Sequence, residues 1–288
     1  MTSLAVMGAG RIGGEMAFLA TVLGLADEIT LYDINRPLLE AQILELSHTG
    51  LDVRLSTDPA AIAGADIAVF AAGSPRNPGI RTRADLLGVN LPVADHCCRL
   101  LRGFDGVLVT ITNPMDANNY YLWKTLGLPR ERCIGFGGQL DSARFRIFMK
   151  ECGMDGPAWV LGEHGEHQVP LFSHLGREVP VEERDAILAR MRGSSMPVIK
   201  GKGGTVFGPA WHIFNLLKCI ALNGRQVVPV SCILDGEYGV QTCSLGVPAR
   251  IGRNGIEEIY EWTLDDWEEA RFRDAAESSC VLCRRSDA

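Results

Sequence analysis

A glycine pattern set between two apolar runs constrains this chain more than any other feature. Leu4-Ala5-Val6-Met7 leads directly into Gly8-Ala9-Gly10-Arg11-Ile12-Gly13, and a second run, Ile29-Thr30-Leu31-Tyr32, ends at Asp33, 20 residues after Gly13. Apolar run, glycine turn and helix start, in that order, make a strand-turn-helix unit. Gly8 allows the tight turn, Gly10 lets a phosphate approach the main chain, and Gly13 lets the helix pack close to the sheet. The free N–H groups and dipole of the helix N-terminus then favour an anion without a lysine. A carboxylate at Asp33 accepts hydrogen bonds from both hydroxyls of an adenosine ribose. The spacing therefore predicts a dinucleotide cradle in which Gly8, Gly10, Arg11, Ile12, Gly13 and Asp33 face the cofactor. NAD is expected over NADP, because a 2′-phosphate would meet Asp33 as like charge, with Asn35 and Arg36 softening the preference.

Composition bounds the rest. At 288 residues the chain has room for about two domains. A net charge of −7 and the lack of any basic run argue against a nucleic-acid binder. No membrane span is visible, and the N-terminal apolar stretch reads as a strand rather than a signal peptide because it is short, lacks a basic leader and enters the glycine turn. Nine cysteines, an odd number scattered along the chain, suit reduced thiols in a cytoplasmic protein. Cys280 and Cys283 form a lone CxxC that reads as frayed C-terminal helix. Glu163-His164-Gly165-Glu166-His167 is not an HExxH motif, so no metal is expected.

Strand and helix signals alternate through the first half. Helices are expected at Ile12–Leu25, Asn35–Ser47 and around Tyr120–Leu126, with strands at 53–56, 66–72 and 106–112 and a last strand at Cys133-Ile134-Gly135. Near-continuous apolar strands such as Ile67-Ala68-Val69-Phe70-Ala71 suit a sheet buried on both faces. The fold class is α/β: an N-terminal doubly wound parallel sheet of the Rossmann type over residues 1–138, followed by a C-terminal α+β substrate domain over 139–288. In the second part, helices are expected at 140–151, 182–191, 210–222 and 264–276. Two strands, 227–234 and 243–245, join through Asp235-Gly236-Glu237-Tyr238-Gly239.

Several loops carry chemistry. His164 sits at a strand end between glycines, where a reactive imidazole is more at home than a core histidine, and it titrates near neutrality as an acid–base group must. Asp141 is its candidate orienting acid. Arg144 lies one helical turn on, so a single helix face offers an acid to His164 and a guanidinium fork to a carboxylate. On residue type alone such a pair is more often an exposed helix ion pair, and only its agreement with the other features overturns that reading. The loop from Ala72 to Arg83 follows the fourth strand at the ligand-binding edge of such sheets and carries Arg76, Arg81 and Arg83. In an acidic protein these cations would focus an anionic substrate, and loop closure would strengthen the contacts.

With these residues in view the chain resembles the lactate/malate dehydrogenases, and within them the malate dehydrogenases of the lactate-dehydrogenase-like, archaeal or bacterial type. The resemblance rests on the glycine motif and Asp33, on Pro75-Arg76-Asn77-Pro78-Gly79 leading to Arg83-Ala84-Asp85-Leu86-Leu87 and Asn90, and on Ile111-Thr112-Asn113-Pro114-Met115-Asp116. It continues through Leu140-Asp141-Ser142-Ala143-Arg144-Phe145, Gly162-Glu163-His164-Gly165, Lys202-Gly203-Gly204-Thr205, Gly236-Glu237-Tyr238-Gly239 and Leu245-Gly246-Val247-Pro248. It implies His164 as proton acceptor, Asp141 as its partner and Arg144 as clamp on the substrate's C1 carboxylate. It further implies Asn113 near the reacting oxygen and nicotinamide, Asn90 and Ile111 against NAD, and a homodimer or homotetramer. Arg76 stands where the malate enzymes carry arginine and the lactate enzymes glutamine, so malate/oxaloacetate is the implied substrate pair. The loop holds one residue more than the family pattern, which makes Arg81 and Arg83 rivals for polarising the carbonyl; Arg83 keeps the register with Asp85 and Asn90. The stretch from His167 to Lys202 is abbreviated. Alternative functions are a lactate or broad 2-hydroxycarboxylate dehydrogenase, and, in a different class, a catalytically silent NAD-binding protein, for which decay at His164, Asp141 or Arg144 would be expected.

Overall fold

The computed structural model describes residues 2–74 and 82–286. In chain order the first elements are β1 (Ser3–Met7), α1 (Arg11–Val22), β2 (Glu28–Tyr32), α2 (Arg36–Ser47), β3 (Arg54–Ser56) and β4 (Ile67–Phe70). They continue with α3 (Arg83–Leu100), β5 (Val107–Thr110), α4 (Met115–Leu126) and β6 (Cys133–Gly135). The six strands are parallel in the order β3-β2-β1-β4-β5-β6. Strand order reverses between β1 and β4, and the crevice beyond the carboxyl ends there is where an open α/β sheet takes its ligand. Ala5, Val6, Ala68, Val69, Leu108 and Val109 are wholly buried, so the central strands are covered on both faces. That double cover is why they read as unbroken apolar runs.

The second half contributes α5 (Gly138–Glu151), β7 (Val160–Gly162), β8 (Gln168–Pro170), α6 (Val181–Gly193), α7 (Ser195–Lys202) and α8 (Phe207–Ala221). It ends with β9 (Gln226–Asp235), β10 (Gln241–Gly252), β11 (Gly255–Ile259) and α9 (Asp266–Arg285). The sheet does not finish at Cys133-Ile134-Gly135. Gly135 bridges Ser231 in antiparallel sense, and the sheet runs on through β9, β10, β7 and β8, with β11 on the flank of β10. A Cβ on Gly135 would lie 2.7 Å from the Ser231 Cβ, so glycine is what lets the strands cross. Local periodicity carries no sign of such a long-range pairing.

α9 is also longer than its expected span. Asp265 caps it through a reciprocal pair with Glu268, the carboxylates accepting from each other's main-chain N–H at 3.0 and 3.1 Å. Ser279, Leu282 and Cys283 are buried on its inner face, so the CxxC is packed helix rather than a frayed end. α7 and β11 had no clear signal, because Pro197 and Gly201 weaken the helix pattern and β11 is only five residues. α1 packs on α8, which sets the glycine turn against the second half of the chain. Among the described residues no helix is long and apolar enough to cross a membrane.

Candidate active site

Gly8 has φ +106°, and its N–H donates to the Tyr32 carbonyl at 2.8 Å. A side chain at Gly8 would overlap Ala72, and one at Gly13 would overlap the Gly8 carbonyl, so packing requires both glycines. Gly10 differs: a Cβ there meets nothing within 4 Å. It faces open space before the first turn of α1, which holds no acidic side chain to compete with an anion. At the end of β2, Asp33 accepts from Ala9 N at 2.9 Å and Asn35 N at 2.8 Å, which fixes a half-buried carboxylate beside the turn. Space at Gly10, the helix end and Asp33 together fit a dinucleotide, with the pyrophosphate before α1 and the ribose on Asp33. The Asn35 side chain accepts from Leu38 N at 3.3 Å as the cap of α2, so it is engaged away from the ribose.

Other expected cofactor residues are placed as follows. Ile12 is half-buried in α1, and Ile111 is buried just beyond β5. The Arg11 guanidinium reaches across to the Lys202 carbonyl at 3.3 Å, against Gly203. Asn90 is 1% exposed; its carbonyl accepts from Ser74 N at 2.8 Å and its amide donates to the Asn113 carbonyl at 2.7 Å. It thus ties the start of the arginine loop to the segment after β5, where the Asn113 side chain is exposed. Arg76 and Arg81 lie outside the described residues.

The structure brings His164, Asp141 and Arg144 together. His164 follows β7, and its Nδ1 lies 2.6 Å from Asp141 Oδ2, while Arg144 donates to Asp141 Oδ1 at 3.2 Å. Asp141 is 1% exposed, and its neighbours explain how a buried carboxylate stays charged. Burial alone would raise its pKa, but His164, Arg144 and a hydrogen bond from Gln168 outweigh that and hold it below the usual carboxylate range. For His164, burial opposes the imidazolium, yet the charge and hydrogen bond of Asp141, helped by Asp116, hold its pKa above the ordinary value; Arg83 works against them. With Nδ1–H donated to Asp141, Nε2 is the free ring nitrogen and carries the lone pair of the neutral form.

Arg83, at the start of α3, reaches the same place. Its guanidinium pairs with Glu163 at 2.9 Å and donates to the His164 carbonyl at 2.6 Å. Glu163 is 1% exposed and Arg83 is half-buried, so the pair is largely shielded from water. Two glycines that carried no role in the sequence make room for these groups. A Cβ on Gly137 would sit 2.7 Å from His164 Nδ1, and one on Gly165 would run into the Arg83 guanidinium. Asp116, quoted above only as part of a motif, accepts from His164 N at 3.0 Å. Its position next to the resembling asparagine-proline pair was the available signal.

The chain is similar to known proteins along nearly its whole length. Residues 2–135 match the model of the lactate/malate dehydrogenase NAD-binding domain, and residues 138–278 match that of the lactate/malate dehydrogenase alpha/beta C-terminal domain. The malate dehydrogenase of Haloferax volcanii is 37% identical over 96% of this chain and 97% of its own. The L-lactate dehydrogenase of a Geobacillus species is 34% identical over 96% of this chain and 94% of its own. The structure of Archaeoglobus fulgidus malate dehydrogenase in complex with NADH superposes with a TM-score of 0.90 at 32% identity, covering all of both chains.

Proposed function

The chain belongs to the lactate/malate dehydrogenase family and uses NAD, and on that premise we propose that it is a malate dehydrogenase, interconverting (S)-malate and oxaloacetate. Residues 1–138 carry the cofactor and 139–288 the substrate. NAD, which the glycine turn and Asp33 would hold, would supply the hydride acceptor for the hydroxyl-bearing carbon, and NADH the hydride donor in reverse. His164 Nε2 takes the hydroxyl proton as that hydride leaves. Asp141 keeps the ring in the tautomer with Nδ1 protonated and stabilises the imidazolium that forms. Arg144 uses one donor on Asp141 and presents the rest of its fork to the C1 carboxylate. Arg83 brings a cation beside His164 that suits the charge developing on the substrate oxygen, and Asn113, assigned by the family pattern, bonds that oxygen. The single observation that carries the choice of malate is Arg76. A second carboxylate on the substrate gives its guanidinium a partner, whereas pyruvate or lactate leaves it unpaired.

A steady-state panel of oxaloacetate, pyruvate and 2-oxoglutarate with NADH tests this. Oxaloacetate is expected to give the highest kcat/KM, and Arg76→Gln is expected to move the oxaloacetate-to-pyruvate ratio toward pyruvate by about tenfold or more. Equal kcat/KM for the two acids, or a preference for pyruvate, in the unmodified protein would favour the second reading, a lactate or broad 2-hydroxycarboxylate dehydrogenase, whose lactate form the similar Geobacillus L-lactate dehydrogenase supports. Cofactor choice is testable at Asp33. NADH is expected to outperform NADPH, and Asp33→Ser to narrow the gap by roughly tenfold as like-charge repulsion is removed. A native preference for NADPH would assign the ribose contact elsewhere. A homodimer or homotetramer accords with exposed Phe18 and Val22 on α1, Leu23 at its end and Trp211 on α8, which packs against it. Nine free thiols accord with a cytoplasmic setting.

A further inference from the structure

His164 is held at three points by three helices. Its ring is on Asp141 of α5, its carbonyl accepts from Arg83 of α3, and its main-chain N–H donates to Asp116 of α4. The reaction as described uses the first two groups and leaves Asp116 idle, although Asp116 is a carboxylate only 3% exposed. A buried acid with no task is costly unless its surroundings are built for its charge. Here they are. Asp116 lies in the first turn of α4, where the helix dipole favours an anion. Its other oxygen accepts from the Ser231 hydroxyl. Because the Ser231 proton points at Asp116, the Ser244 hydroxyl 2.8 Å away must donate to Ser231, and Asn119 Nδ2 donates in turn to Ser244 Oγ at 3.0 Å. Ser279 fixes the Ser244 main chain by donating to its carbonyl at 2.7 Å. Ser231, Ser244, Asn119 and Ser279 are each at most 1% exposed. The donors of Asn119, Ser244 and Ser231 thus point in succession toward the Asp116 carboxylate, a buried network that polarises in one direction.

Resting on the malate dehydrogenase reading, we propose that Asp116 is a positioning residue for proton transfer: it holds the His164 main chain from behind and adds a second negative charge in support of the imidazolium. Three other charged groups face His164 and Asp116. Asp141 and Asp116 favour the charged ring, Arg83 disfavours it, and Glu163 adjoins Asp116. Burial, with Glu163 adding to it and Ser231 and His164 opposing it, lifts Asp116 to about 6. It is therefore ionised at neutral pH and takes a proton in mild acid, at which point the support for the imidazolium is withdrawn.

Asp116→Asn separates charge from shape. The amide oxygen still accepts from His164 N–H and the NH2 donates to a reoriented Ser231, so the contacts survive and only the charge is lost. The limb of the kcat/KM–pH profile belonging to His164 is expected to move about one unit toward acid in both malate oxidation and oxaloacetate reduction, with the NADH dissociation constant unchanged. Ser231→Ala, which removes the donor that stabilises the carboxylate, is expected to move it the same way by less. Asp116→Ala, which also removes the main-chain hold, is expected to cut kcat by roughly 10- to 100-fold with little change in KM. A limb that stays put in whichever of Asp116→Asn and Ser231→Ala folds, judged by thermal unfolding and NADH binding, overturns the proposal. His164→Asn in the same assays tells the two readings apart. If it abolishes turnover while the limb is unmoved, only the role of Asp116 falls; if it retains turnover, His164 is not the proton acceptor and the reading beneath falls first.

Discussion

His164→Asn is expected to fold, to bind NADH as the unmodified protein does, and to lose about 10²–10⁴-fold in kcat/KM in both reaction directions. The expectation follows from what asparagine keeps and lacks. Its amide can replace the hydrogen bond to Asp141, so the buried carboxylate retains a partner and the loop keeps its anchors on Asp116 and Arg83. It has no group that titrates near neutrality, so the hydroxyl proton has no acceptor as the hydride leaves. The cofactor cradle is built from the turn after β1 and from Asp33, and none of its hydrogen bonds involves His164. Fluorescence titration with NADH should therefore be unchanged while steady-state turnover collapses. Turnover near the native rate would remove His164 from the mechanism, and a parallel loss of NADH binding would show that the substitution had disturbed the fold.

The parts of this site that were legible in the sequence are those in which a short spacing carries the physics. Gly8, Gly10, Gly13 and Asp33 belong to one strand-turn-helix-strand unit, and the Asp141–Arg144 spacing places two side chains on one helix face whatever surrounds the helix. The union of Asp141 with His164 was readable as a candidate from their residue types, and the family pattern that both match strengthened it. The less legible features are made by distant segments meeting. The antiparallel continuation of the sheet through Ser231, the buried pairing of Arg83 with Glu163, and the serine network behind Asp116 all join residues whose local sequence announces nothing. The inner face of α9 is similar. Cys280-Val281-Leu282-Cys283 ends a charged, amphipathic helix and looks dispensable until Ser279 and Cys283 are seen buried beneath β10, where Ser279 bonds the Ser244 carbonyl. Asn90 shows the converse. Its place in the motif suggests a ligand contact, while its amide is engaged by the main chains of Ser74 and Asn113, so any effect on the cofactor passes through the position of those segments.

Gly137 is the residue whose importance a sequence hides most completely, since a single glycine before a helix reads as an ordinary turn. Its φ of 175° lies outside the left-handed range, so no positive-φ turn calls for glycine there. The obstacle is the imidazole. An added Cβ would lie 2.7 Å from both Cβ and Nδ1 of His164, closer than real contacts allow, and the ring cannot retreat without lengthening its 2.6 Å bond to Asp141. Asp141 cannot follow, because it is buried and also tied to Arg144. Gly137→Ala is therefore expected to displace the acid–base group while leaving every reacting side chain chemically unchanged, at a cost of about 10²-fold in kcat, with stability reduced by about 1–3 kcal/mol through overpacking. Stopped-flow or steady-state turnover beside a thermal melt and an NADH titration makes the measurement. A kcat within about twofold of the native value would mean that the ring has room to shift without losing its proton path, and that the tight fit of His164 against Gly137 is packing rather than alignment.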